Sequence, residues 1–277
     1  MSKIKLALFL TLCLVLNINA QTVETISVPS PKMGSEVKNV IILPAGYDRN
    51  ANKNYPVLYL LHGYSGNHSS WVELKKELPE EASRLGMIIV CPDGKNAWYW
   101  DSPINPKMQY ETYVSKELVG YIDKNYKTIQ SPNGRAIAGL SMGGHGALWL
   151  AINHPDVFGA CGSMSGGVDI RPFPNNWEMK KSIGSYKDNP KVWDDHTVMT
   201  QISKIEPNTL SIIIDCGTED FFFGVNEKLH QELRYRNIKH DYIVRPGAHN
   251  GPYWQNAIDY QLLFFWKFFN RKEEKKK

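Results

Sequence analysis

Ser141 stands in the run Gly139-Leu140-Ser141-Met142-Gly143-Gly144, between an apolar segment, Ala136 to Leu140, and a stretch from Gly143 to Asn153 that reads as a helix. A serine on a sharp strand-to-helix corner projects its hydroxyl from the end of a sheet, and the flanking glycines let strand and helix close without a Cβ clash. The bare G-x-S-x-G pattern also recurs in glycine-rich loops, so its context decides its meaning. A serine hydroxyl attacks a carbonyl only when a base takes its proton and a carboxylate orients that base and stabilises the imidazolium. Gly217-Thr218-Glu219-Asp220 and Gly247-Ala248-His249 supply these groups, each past an apolar strand and in the order serine, acid, histidine. Asp215 and Glu219 compete for the acid role, but Asp215 still belongs to its strand, and the loop position of Asp220 better faces a sheet edge. His249 is the one histidine after the final strand; His68, His145, His154, His196, His230 and His240 read as surface or packing residues.

This chemistry is acyl transfer through Ser141, with His249 as base and Asp220 as its partner. The amide N–H of Met142, at the positive end of a helix, and that of Tyr64, in His62-Gly63-Tyr64, are the expected oxyanion donors, with Gly63 as the alternative to Tyr64. No metal and no organic cofactor is required. The rate should fall in acid, because only a neutral His249 can accept the serine proton.

The elements that must position these groups alternate. Val23 to Val28 and Val37 to Leu43 predict strands, and Pro56 to Leu61 a central buried one running into the Tyr64 loop. Trp71, Leu74, Leu78 and Ala82 predict a helix from Ser70 to Leu85, with Pro79 as a kink. Strands follow at Met87 to Cys91, Phe158 to Met164, Leu210 to Asp215 and His240 to Val244, with helices at Tyr110 to Tyr126, Val225 to Arg236 and Trp254 to Phe269. Such alternation predicts an α/β fold, a mostly parallel sheet of about eight strands with helices on both faces. Residues 168–205 fit no strand and read as a lid or specificity insertion within one domain, 21–277. Trp98, Tyr99 and Trp100 follow a strand end at the catalytic edge and are expected to stack on a sugar or phenolic ring, together with Trp177 and Trp193 of the insertion. His145 could touch substrate from the elbow helix, although packing is its commoner use.

The chain has 277 residues, 42% of them hydrophobic, which suits one large domain. Lys3, Lys5, the apolar run Leu6 to Leu16 and Ala20 resemble a secretory signal peptide over residues 1–20, predicting a periplasmic or extracellular protein. Cys13 leaves lipid anchoring open, though bulky Leu12 precedes it. Removing this segment takes away two lysines and no acids, lowering the net charge from +4 to +2. A nearly neutral chain gives no sign of a nucleic-acid partner, and the basic tail from Arg271 reads as a solvated end. Cys91, Cys161 and Cys216 read as buried core residues.

The strings Leu61-His62-Gly63-Tyr64, Gly139 to Gly144, Gly217 to Asp220 and Gly247-Ala248-His249, with Trp254 beyond, resemble the putative-esterase family of the α/β-hydrolase superfamily. That family includes esterase D (S-formylglutathione hydrolase), tributyrin esterases, mycolyltransferase antigens, and the feruloyl and acetylxylan esterases of carbohydrate esterase family one. The resemblance spans most of residues 36–270. It implies the α/β-hydrolase fold and ester hydrolysis, with feruloyl or acetyl esters of plant polysaccharide as expected substrates. Short-chain esterase, acyltransferase and non-catalytic binding roles are the alternatives. One departure is local: Asn250-Gly251-Pro252-Tyr253 separates His249 from Trp254, so the pocket wall there does not follow the family pattern.

Overall fold

The computed structural model describes residues 21–271. The expected signal segment, Cys13 and the end of the basic tail therefore lie outside the described residues. Eight strands form one sheet: β1 (Thr22–Ser30), β2 (Ser35–Leu43), β3 (Val57–Leu61), β4 (Ile88–Pro92), β5 (Arg135–Leu140), β6 (Ala160–Met164), β7 (Ser211–Gly217) and β8 (Asp241–Arg245). Their spatial order is β1-β2-β4-β3-β5-β6-β7-β8, with β1 and β2 antiparallel and β3 to β8 parallel. The helices are α1 (Ser70–Leu74), α2 (Leu78–Leu85), α3 (Tyr110–Thr112), α4 (Val119–Asn125), α5 (Met142–Asn153), α6 (Lys180–Ile183), α7 (Pro190–Asp195), α8 (Val198–Gln201), α9 (Phe223–Tyr235) and α10 (Gly251–Phe269).

Continuous apolar runs in β3 to β6 reflect burial on both faces. The period of two divides them between two cores. Val57, Tyr59, Leu61, Ile137 and Ile214 pack with α5 and α9 on one side, while Leu58, Leu60, Ala138 and Ile213 pack with α2 and α10 on the other. The chain visits β4 beside β3, crosses to β5 on β3's other side and then moves steadily outward. The carboxyl ends of β3 and β5 thus flank the point where the winding direction reverses, and loops leaving a sheet there part to open a crevice. Ser141 and the Tyr64 loop leave from those two ends.

Two local differences from the sequence expectation have physical causes. The single helix expected over Ser70 to Leu85 is two, because Pro79 occupies the first turn of α2, where its missing N–H leaves no bond unmade, and the chain breaks before it. The helix expected over Tyr110 to Tyr126 contains a π-helical stretch, Tyr113–Leu118, between α3 and α4, which turns Tyr113, Val114, Ser115 and Leu118 all inward. Segment 168–205 holds α6, α7 and α8 and sends Val168, Ile170, Met179, Ile183, Trp193 and Val198 into the α5-side core. Among the described residues no helix is long and apolar enough to cross a membrane.

Candidate active site

Ser141 has φ 54° and ψ −116°, a left-handed conformation that an L-residue holds only under constraint. The constraint is steric. A Cβ at Gly139 would lie 2.4 Å from the Gly143 backbone, and one at Gly143 would lie 2.5 Å from the carbonyl oxygen of Leu61. Strand β5, helix α5 and the end of β3 therefore meet backbone to backbone at the corner. The Met142 N–H opens α5, and among the described residues neither it nor the Tyr64 N–H donates to another group. Both remain available to a developing oxyanion.

The Tyr64 loop is pinned from behind. His62 Nδ1–H donates to the Gly63 carbonyl at 2.7 Å, its Nε2 accepts the Gly94 N–H at 2.8 Å, and Ser65 N–H donates to Asn96 Oδ1 at 2.8 Å. This pattern makes His62 a neutral ring, so its 3.7 Å approach to Asp93 is not an ion pair. His62 supports the loop without reaching the cleft.

His249 and Asp220 complete the constellation. His249 Nε2 stands 2.9 Å from Ser141 Oγ, and His249 Nδ1 stands 2.8 and 3.0 Å from the two Asp220 oxygens. The Asp220 side chain is fully buried and also accepts the Phe222 N–H at 2.8 Å. With Nδ1–H donating to the carboxylate, Nε2 must accept from the serine hydroxyl, the tautomer a general base needs. The rival acids are placed elsewhere. Glu219 is exposed, and Asp215 faces Arg245 and the Tyr253 hydroxyl beneath the site. Burial pushes the Asp215 carboxyl up, against the pull of Tyr253 and Arg245.

The serine opens into a cleft of about 690 Å³ lined by Tyr64, Trp71, Leu74, Leu140, Trp177, Phe221 and Trp254, with Ser65, Ser70 and Glu73 as its polar members. Phe221 lies 4.2 Å from the His249 ring and stacks on Trp177 at 5.8 Å, and Trp254 meets His249 edge-on at 4.9 Å. Trp177 and Trp254 thus line the cleft beside Ser141 and His249. Trp98, Tyr99 and Trp100 do not: all three are buried in the α5-side core, and this corrects the expectation that they stack on substrate. Trp98 and Tyr99 take positive φ, and the turn drives their rings inward against α5, where a Cβ at Gly146 would lie 2.5 Å from Tyr99. His145 is also a packing residue. Its Nε2 accepts the Trp100 indole N–H at 2.8 Å, its Nδ1–H donates to the Gly167 carbonyl at 3.0 Å, and burial lowers its pKa to about 3. Trp193 is buried too, donating its indole N–H to Gly184 O.

Phe221, like Trp71, Glu73 and Leu74, is a cleft residue that the sequence did not point to. Its signal was the run Phe221-Phe222-Phe223 directly after the acid: with Asp220 and Phe222 turned inward, the residue between them faces out, and Phe221 is 54% exposed.

The family model for putative esterases matches residues 30–265. The chain belongs to this family. It is 30% identical over 256 residues to the diacylglycerol acyltransferase/mycolyltransferase Ag85A of Mycobacterium tuberculosis, covering 83% of this chain and 72% of that protein. It is 24% identical over 221 residues to an acetyl esterase of Caldicellulosiruptor saccharolyticus, covering 75% and 82%. A solved ferulic acid esterase superposes with a TM-score of 0.78 at 28% identity, covering 92% of this chain and all of that one. An S-formylglutathione hydrolase from Agrobacterium tumefaciens, with a TM-score of 0.74 at 23% identity, shares the fold. The fold is that of the α/β-hydrolase esterases, and the chain is a carboxylic ester hydrolase of the serine type.

Proposed function

We propose that Ser141 is the nucleophile, His249 the general base and Asp220 its orienting acid, in an exported esterase that removes feruloyl or acetyl groups from plant polysaccharide. The observation that carries the chemistry is the unbroken line of hydrogen bonds Asp220–His249–Ser141 at the floor of the cleft. His249 takes the Ser141 proton as Oγ attacks the ester carbonyl. The Met142 and Tyr64 N–H groups hold the oxyanion, and the imidazolium returns the proton to the leaving alcohol. Water, activated by the same imidazole, then cleaves the acyl-enzyme.

The substrate reading rests on the walls. Trp177, Phe221 and Trp254 give a serine-side cleft aromatic faces suited to phenolic and sugar rings, and the likeness to an acetyl esterase and a ferulic acid esterase supports the same acyl groups. A panel of methyl ferulate, acetylated xylan, tributyrin and S-formylglutathione compared by kcat/KM tests it. Methyl ferulate or acetylated xylan should lead. Trp177→Ala should cost about tenfold on methyl ferulate, corresponding to one aromatic contact, with little effect on p-nitrophenyl acetate. A lead for tributyrin untouched by Trp177→Ala would overturn the polysaccharide assignment. The likeness to a mycolyltransferase favours transfer to a sugar hydroxyl as a second reading. The same assay with a sugar acceptor should give mainly free acid, and mostly acylated sugar would reverse that choice.

Export rests on residues 1–20. Protein recovered from outside the cytoplasm of a bacterial host should begin at Gln21, and an intact N-terminus on cytoplasmic protein would defeat this part of the proposal.

A further inference from the structure

One buried carboxylate ties both ends of the loop that carries His249. Asp215 Oδ2 accepts from Arg245 Nη2 at 2.5 Å, and Oδ1 accepts from the Tyr253 hydroxyl. Arg245 is the last residue of β8 and Tyr253 the third of α10, so residues 246–252 leave and return to a single anchor on β7. Strand β7 also launches the acid loop. The two loops are zipped by the Thr218 N–H on the Arg245 carbonyl and the Glu219 N–H on the Gly247 carbonyl, both at 2.9 Å. The Tyr253 ring fills the space beneath them. At Gly247, where φ is +146°, a Cβ would lie 2.3 Å from that ring. The Arg245 guanidinium is held over Tyr253 at 5.2 Å and over Tyr260 at 4.4 Å. Neither Tyr253, Asp215 nor Arg245 lines the cleft.

We infer that Tyr253, acting through Asp215 and Arg245, is a positioning residue that holds His249 within hydrogen-bond reach of Asp220 and Ser141 at once. The inference rests on the triad assigned above. An imidazole that must meet two partners tolerates little drift, and misplacing a catalytic group by about 1 Å can cost on the order of 100-fold. Residues 246–250, between β8 and α10, have few bonds of their own: Asn250 N–H donates to the Ala248 carbonyl, and Asn250 Oδ1 caps the Tyr253 N–H. The remaining precision comes from the two zipping bonds and the shared carboxylate beneath them.

Tyr253→Phe keeps the ring, its packing and its contact with Arg245, and deletes only the hydroxyl. The readouts are kcat and KM for p-nitrophenyl acetate, the rate at which a fluorophosphonate labels Ser141, and Tm. The expected result is a fall in kcat of about tenfold with KM within about twofold, and labelling slowed in parallel, in protein that remains folded at the assay temperature. Unchanged kcat and labelling with a lowered Tm would make the brace purely structural and overturn the inference. If Tyr253→Phe does not fold, Asp215→Asn is read on the same two rates, with the same outcomes. Ser141→Ala run alongside separates the two ideas. Its loss of turnover keeps the triad whichever way Tyr253→Phe behaves, whereas full activity of Ser141→Ala would remove both.

Discussion

Ser141→Ala is expected to lower kcat on p-nitrophenyl acetate by about a millionfold, because the triad acts as one unit and removal of its nucleophile leaves only binding and the oxyanion donors. Asp220→Asn should cost less, roughly ten-thousandfold. An asparagine at this fully buried position can offer its NH2 to Nδ1. The proton then sits on Nε2, which can no longer accept from Ser141 across their 2.9 Å contact. Steady-state kinetics on purified protein of known concentration measures both, with a fluorophosphonate titrating the wild-type serine as the reference. Ser141→Ala turning over at the wild-type rate would end the assignment, and an Asp220→Asn enzyme of full activity would move the acid elsewhere.

The second large effect is acid destabilisation through His145. Its ring is fully buried, hydrogen-bonded at both nitrogens, and surrounded by Trp98, Trp100 and Trp149. A second ring proton would bury a charge and set an Nε2–H donor against the Trp100 indole N–H. Burial lowers the folded pKa to about 3, while an unfolded histidine titrates near ~6.5. Between these values the unfolded chain binds the extra proton and the folded chain does not. Stability from this group is therefore complete above the unfolded value, is lost as pH falls through the window, and stops falling below about 3. At ~1.4 kcal/mol per pH unit the total approaches ~5 kcal/mol, comparable to the whole stability of many domains.

His145→Gln removes the titration. Urea unfolding at pH 6.5 and 4.5 should show wild type losing ~2.3 kcal/mol more than the variant between the two pH values, since the unfolded histidine is already half protonated at the upper one, even though the variant starts less stable. Equal losses would show that other groups, Asp93 and Glu111 among them, carry the acid sensitivity.

Much of this protein follows from local sequence. The strand runs, the helix after Ser141 and the serine–acid–histidine order are legible because they depend on short-range physics: burial of apolar runs, glycine sterics at a corner, and polar turns at strand ends. Other features were decided only when distant elements met. Asp215 and Asp220 are both acids near the end of β7, and their roles part because Asp215 meets Arg245 of β8 and Tyr253 of α10, whereas Asp220 meets His249. The aromatic triplet at 98–100 sits at the catalytic edge, yet its rings turn into the core because α5 leaves room at Gly146 for Tyr99 and because His145 accepts the Trp100 N–H. Phe221 was left facing the cleft by the same logic, since its neighbours on either side are buried. The direction of a loop side chain is set by the volume that other parts of the chain leave vacant. No run of neighbouring residues contains that information.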